Sequence, residues 1–320
     1  MDPKRPVILA LFFTILSYWT ANFVELGLIR VIHPSEIELT WISDLILAIA
    51  LGLTTYLWLH LKATRKELAD TERRRIAFDT ELSLGAEIQR DQLPKMPDSL
   101  VGIRWAARLV PAGKIGGDFY DLVCPDEHSV LVLIGDVSGK GIPAALMLTS
   151  VRLMFRLFSR ETLEPSQLVE RLSRELYLES SGSMYLTCIV VYFELASKRI
   201  TFTNAGHPPA VVLQSGARHY LETGGVPAGM FPSSLYTSKA LSLQSGALGV
   251  LYTDGISEAL EGNGQSPCDI LATTLATQGK NPDPQRICDK VIALAQESAG
   301  PTGDGEWNDD KTILAFVTDS

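Results

Sequence analysis

The chain has 320 residues, 46% of them hydrophobic and 20% charged, enough for one good-sized domain and a smaller part. Its net charge of −9 argues against a nucleic-acid partner, because phosphate backbones need a basic face. The four cysteines, Cys124, Cys188, Cys268 and Cys288, form no CxxC pair, which argues against a zinc site or disulfide framework and suits a reducing compartment.

Two apolar runs open the chain, at residues 6–29 and 40–61. Each is long enough to cross a bilayer, which takes ~20 apolar residues. Trp41 marks one end of the second run and Tyr56 with Trp58 the other, as aromatic belts do. Lys4 and Arg5 precede the first run, and Lys62, Arg65, Lys66 and Arg73 to Arg75 follow the second, whereas the connector 30–39 sets Arg30 against Glu36 and Glu38. This basic bias predicts a transmembrane hairpin over 1–61 with both ends in the cytoplasm. The competing reading is a signal peptide followed by a buried core helix. No small-residue cleavage site follows the first run, and the second is long for a core helix.

Residues 62–93 are charged and contain no Gly or Pro before Gly85, which predicts a linker helix leaving the membrane. Leu61, Leu68 and Leu82 share one heptad position, with Phe78 at the partner position, while Arg75 interrupts the seam and Thr64, Thr71 and Gly85 weaken it. The segment reads either as a signalling coiled coil, pairing two copies through 62–93, or as a solvated connector.

Domain 94–320 changes character. Strand-like runs fall at 101–109, 129–136, 185–195, 199–204, 209–213, 247–253 and 311–318, and helical stretches at 143–158, 165–180, 267–278 and 283–298. Elements that come in blocks favour α+β over a doubly wound parallel sheet. Within this domain, acids sit at strand ends beside glycines. Asp118 follows Gly116-Gly117, Asp136 ends VLVLIGD, Asp254 ends GVLYTD before Gly255, and Asp309-Asp310 precede KTILAFV. Singly, each reads most simply as a turn residue. Together, at strand ends, they can converge on one sheet edge. An acid cluster without His or Cys suits Mg²⁺ or Mn²⁺, and two such ions can clamp a phosphoryl group. The chain has no CxxxxxR phosphate cradle, and Gly135 to Gly141 lack P-loop spacing.

The blocks GGDFYD (116–121), IGDVSGKGIPAALM (134–147), NAGHPPAVV (204–212), YTDGISEA (252–259) and DDKT (309–312) resemble, in order and spacing, the metal-dependent PPM phosphatases of the bacterial SpoIIE/RsbU type. AEIQRDQLPKMP (86–97) is similar to the segment that enters that domain, so the resemblance spans roughly 81–318. It implies an αββα sandwich of two antiparallel sheets with helices outside. It also implies hydrolysis of phosphoserine or phosphothreonine in a protein by a metal-activated water, with two divalent cations, Mn²⁺ or Mg²⁺. Carried over by residue, Asp136 bridges two ions, Asp118 and the Val137 backbone carbonyl help hold one, and Asp254 and Asp309 hold the other. The implied substrate is a phosphorylated regulatory protein, an anti-sigma-factor antagonist of the STAS type.

Other positions stay open at this level. His207 either orients a water or donates to the leaving serine oxygen, or only orders its loop. Lys114 and Lys140 are candidate phosphate contacts or plain solvated lysines. Asp121 and Asp310 support the ligands or serve turns. Gly113 stands where family members often carry an arginine, which bears on the phosphate contact and not on the metal site. Two rivals of other classes remain. One is a catalytically inert phosphatase-fold module that relays a membrane signal to a partner, against which the intact acid set speaks. The other is a ligand-reading membrane sensor, for which a connector of about ten residues is short.

Overall fold

The computed structural model describes residues 37–94, 99–100, 102–222, 224–261, 264–279, 282–299 and 309–319, together with Thr14, Ser17, Tyr18 and Ala21. The chain divides into two units, Met1–Glu81 and Leu82–Ser320. The described part of the first unit is mostly helix α1 (Ile37–Asp91), whose last turns belong to the second. Over Asp44–Asp91 this helix is long and apolar enough to cross a membrane, its best stretch having a mean hydropathy of 1.6. Leu45, Leu47, Leu51, Leu57 and Trp58 along it are exposed. Among the described residues it is the one such helix. The expected span at 6–29 lies, but for Thr14, Ser17, Tyr18 and Ala21, outside them.

The second unit is built on two antiparallel sheets. One orders its strands β1 (Ser99–Leu100), β2 (Ile103–Val110), β11 (Lys311–Thr318), β10 (Leu248–Tyr252), β7 (Ala210–Gln214) and β8 (Ala217–Leu221). The other runs β3 (Asp118–Asp126), β4 (Ser129–Val137), β5 (Leu186–Glu194), β6 (Arg199–Ala205) and β9 (Lys239–Ser242). Alternation along the strands decides the layers, because successive side chains point to opposite faces. On β4, Val130, Val132 and Ile134 face the inter-sheet core, and on β11 so do Leu314 and Phe316. There Trp105 meets Phe193 edge-on at 4.7 Å and Phe193 meets Phe316 at 5.2 Å.

The opposite faces bury separate cores under helices. Leu131 and Leu133 pack beneath α2 (Ile142–Phe158) and α3 (Pro165–Ser180) through Leu148, Val151, Phe155, Leu168 and Leu172. Ile313, Ala315 and Val317 pack beneath α4 (Asp254–Leu260), α5 (Pro267–Ala276) and α6 (Pro284–Ala299) through Ile256, Leu271, Leu275, Ile287 and Val291. The result is helix, sheet, sheet, helix. Prolines open four of the helices, in the first turn of α2 and as the first residue of α3, α5 and α6, where a missing N–H costs nothing. Ser266 caps α5, its hydroxyl accepting from Asp269 N–H at 3.2 Å.

Five elements go beyond the pattern reading: β1, β3, β8, β9 and α4. Strand β3 reads DFYDLVCPD, and its acids Asp118 and Asp121 look like loop signals although both are buried. Helix α4 has only seven residues, too short to show a helical period.

Candidate metal centre

The β3–β4 hairpin sets Asp118 directly opposite Asp136. Strands β10 and β11 are neighbours in the other sheet, and Asp254 follows the first while Asp309 precedes the second. Three of these acids, from distant sequence positions, therefore meet where the two sheets end together, with Asp309 nearby. Carboxylate oxygens of Asp118, Asp136 and Asp254 lie within 4.8 Å of one another. Asp309 adds its charge to the field acting on Asp136 and Asp254, and its Oδ2 lies 3.7 Å from Lys140 Nζ.

Glycines make the close approach feasible. A Cβ on Gly117 would stand 2.7 Å from both Asp136 Oδ1 and the Val137 carbonyl oxygen, and one on Gly116 would stand 1.9 Å from Asp310 Oδ2. Asp310 templates this turn: its Oδ1 accepts from Ala112 N–H at 2.7 Å and its Oδ2 from Gly117 N–H at 3.0 Å. Gln89, in the last turns of α1, grips the same residue from outside. Its Nε2 donates to Gly116 O at 2.8 Å, and its Oε1 accepts from Gly116 N–H at 3.3 Å.

The electrostatics are those of crowded acids that Lys140, beside Asp309, offsets only in part. Burial, then the neighbouring Asp136, holds the Asp118 carboxyl well above its ordinary range, against the opposing pull of hydroxyls from Thr253 and Thr312. Burial, followed by the charges of Asp254, Asp309 and Asp310, pushes Asp136 up to about 8. Asp254 is raised by burial and by Asp309. A divalent cation relieves such repulsion, and a donor set made only of oxygens fits a hard ion. On chemistry and on the cradle that a Gly117 Cβ would fill, these residues fit a metal centre.

The remaining candidates lie at different distances from this edge. His207 is buried, its Nδ1 hydrogen-bonded to Thr187 Oγ1 at 3.0 Å, and Asn204 holds its backbone on both sides. Burial pushes it down to about 3, so the ring is neutral at physiological pH. Thr187 lies opposite Asp136 on β5, so His207 is tied to the strand beside the one that carries Asp136. Asp121 turns to α2, where Arg156 Nε and Nη2 donate to it at 2.7 and 2.8 Å and Arg152 Nε stands at 3.6 Å. Lys140 is exposed beside Asp309, whereas Lys114 donates to Ser83 Oγ at 3.0 Å. A Cβ on Gly113 would meet open space.

Three contributors escaped the pattern reading: Gln89, Thr253 and Thr312. The threonines were visible as the residues beside the acids in YTDG and DDKT, but nothing in one dimension says that their hydroxyls face Asp118.

Two antiparallel sheets between helices, with an all-oxygen acid cluster at one edge, define a PP2C-type domain. The SiaA-PP2C domain of Pseudomonas aeruginosa shares this fold, at a TM-score of 0.66 and 20% identity over 77% of this chain and 99% of that one. The family model described as "Stage II sporulation protein E (SpoIIE)" matches residues 126–319, and the chain belongs to the SpoIIE family. It is 32% identical to the phosphoserine phosphatase RsbP of Bacillus subtilis over 183 residues, 55% of this chain and 45% of RsbP. It is 28% identical to the phosphoserine phosphatase RsbU of the same organism over 187 residues, 58% of this chain and 56% of RsbU. The chain thus spans about half the length of these curated relatives.

Proposed function

We propose that this chain is a metal-dependent protein phosphatase that hydrolyses phosphoserine or phosphothreonine in a regulatory protein. The observation that carries the reading is the convergence of Asp118, Asp136 and Asp254 within 4.8 Å, delivered by two separate sheets. Asp136 would lie between two cations, with Asp118 and the Val137 carbonyl completing one site and Asp254 with Asp309 the other. When bound, Mn²⁺ or Mg²⁺ would supply Lewis-acid polarisation of the phosphoryl oxygens and a water of lowered pKa. The chain's own groups do the positioning. Asp310 and Gln89 fix the Gly116-Gly117 turn that presents Asp118. His207, neutral and bonded to Thr187, is tied to the strand beside that of Asp136 and leaves proton transfer to groups at the open edge. Lys140, beside Asp309, is the lysine best placed to meet a substrate phosphate, and Lys114 is a second candidate.

The names of RsbP and RsbU support a phosphoserine substrate, and kinship with them supports a sigma-factor pathway, with a STAS-type antagonist as the phosphoprotein. The apolar part of α1, its exposed Leu and Trp residues and the run at 6–29 support anchoring at the cytoplasmic face of the inner membrane, with residues 62–93 as the route of control and of pairing between two copies. The test is phosphate release from a phosphoserine protein by the full chain in detergent. Release that requires Mn²⁺ or Mg²⁺ and disappears in Asp136→Ala is expected. No release with metal, or undiminished release in Asp136→Ala, would overturn the proposal and favour an inert binding module.

A further inference from the structure

Asp118 is the most enclosed of the cluster acids, with 3% of its surface exposed, and one of its oxygens is already occupied. Thr253 Oγ1 donates to Asp118 Oδ2 at 2.6 Å, and Thr312 Oγ1 donates to the same oxygen at 2.7 Å. Both threonines are fully buried. The direction of the first bond is settled by its surroundings. Thr253 Oγ1 accepts from Thr312 N–H at 3.0 Å, so its own hydrogen is left for the carboxylate. A second bond, from Thr253 N–H to Thr312 O at 3.1 Å, ties the two residues at the point where β10 and β11 leave the sheet.

The placement matters because of what stands next to each threonine. Thr253 immediately precedes Asp254, and Thr312 follows Asp309 by three residues. The two segments that deliver Asp254 and Asp309 from one sheet therefore reach across to hold Asp118 on the other. A carboxylate oxygen that accepts two short charge-assisted hydrogen bonds has little lone-pair density left for a cation. Oδ1 is the oxygen left over.

We infer that Thr253 and Thr312 are positioning residues that restrict Asp118 to ligation through one oxygen and lock the two halves of the metal centre together. This rests on the reading of the acid cluster as a metal centre. Hydrogen-bonding partners of ligands orient them, and removing such a partner costs roughly 10- to 100-fold in metal affinity. Valine keeps the shape of threonine without the hydroxyl, and serine keeps the hydroxyl without the methyl, so the pair separates hydrogen bonding from packing.

The experiment is Mn²⁺ titration by calorimetry on the full chain in detergent, with thermal melting of each metal-free variant as a check on folding. Thr253→Val and Thr312→Val should each weaken binding by about tenfold or more, while Thr253→Ser and Thr312→Ser stay within about threefold of wild type. In an Asp118→Asn background, the valine substitutions should cause no further loss. Valine variants that bind as tightly as wild type would overturn the inference and leave the phosphatase proposal standing. So would serine variants as weak as the valine ones, since packing would then be responsible. A wild-type chain that binds no Mn²⁺ or Mg²⁺ would overturn both. If a valine variant does not fold, the corresponding alanine variant, which also lacks the hydroxyl, is titrated in its place and read by the same criteria.

Discussion

The metal-free protein should become less stable as pH rises, over a range where most proteins are near their optimum. The perturbation is removal of cations by chelation, followed by titration from pH 5 to 8. Asp136 is pushed up to about 8 from its ordinary 3.8, by burial first and then by Asp254, Asp309 and Asp310. An acid whose folded pKa is raised binds more protons folded than unfolded between those values, so its contribution to stability falls as pH rises through the window. Asp118 and Asp254 are raised as well and act in the same direction. The span of Asp136 alone, from 3.8 to about 8, corresponds to roughly 6 kcal/mol at about 1.36 kcal/mol per pH unit, and the pH 5–8 window caps it at about 4 kcal/mol. Its carboxyl is only half-buried and strongly coupled to its neighbours, so a loss on the order of 2–3 kcal/mol is expected. For a domain of this size that is roughly 5–10 °C in Tm. Melting is followed in EDTA and in Mn²⁺ by tryptophan fluorescence, to which Trp105 in the inter-sheet core contributes. Cations bind the deprotonated acids, so the gap in Tm between Mn²⁺ and EDTA should widen with pH. A flat Tm in EDTA from pH 5 to 8, or a gap that narrows, would refute the reasoning.

Other outcomes follow from the same geometry. Gly117→Ala puts a methyl 2.7 Å from Asp136 Oδ1 and from the Val137 carbonyl, which cannot swing aside as a side-chain tip can. It should cost about 1–3 kcal/mol in stability and raise the Mn²⁺ concentration needed for phosphate release by an order of magnitude or more. Asp121→Ala leaves Arg152 and Arg156 without the carboxylate they share, and a drop of about 3–5 kcal/mol in denaturant unfolding is expected, with Mn²⁺ affinity within about threefold of wild type. Deleting residues 62–80 should change both phosphatase rate and the number of chains per particle in detergent by light scattering; an unchanged rate with an unchanged number would remove the linker from control.

Much of the second unit was legible from residue order alone, for a definite reason. The short apolar runs VLVLIGD and KTILAFV, bounded by Gly and Asp, read as strands buried on both faces without knowledge of their neighbours, and prolines at 143, 165 and 267 mark helix starts by local sterics. The acids at strand ends beside glycines stood out because that chemistry, too, is written locally. Strand β3 did not, because its buried acids mimic a loop until Thr253, Thr312, Arg152 and Arg156 arrive from other segments to satisfy them.

The sequence by itself thus determined the class of domain, the positions of most elements and the identity of the cluster acids. Only the tertiary structure decided which of them share a site and what holds each. It turned Asp121 toward two arginines, put Asp310 under the glycine turn, sealed His207 as a neutral ring behind Thr187, and set two hydroxyls on one oxygen of Asp118. Those are contacts between residues 20 to 194 positions apart, and no local propensity encodes a partner at such separation.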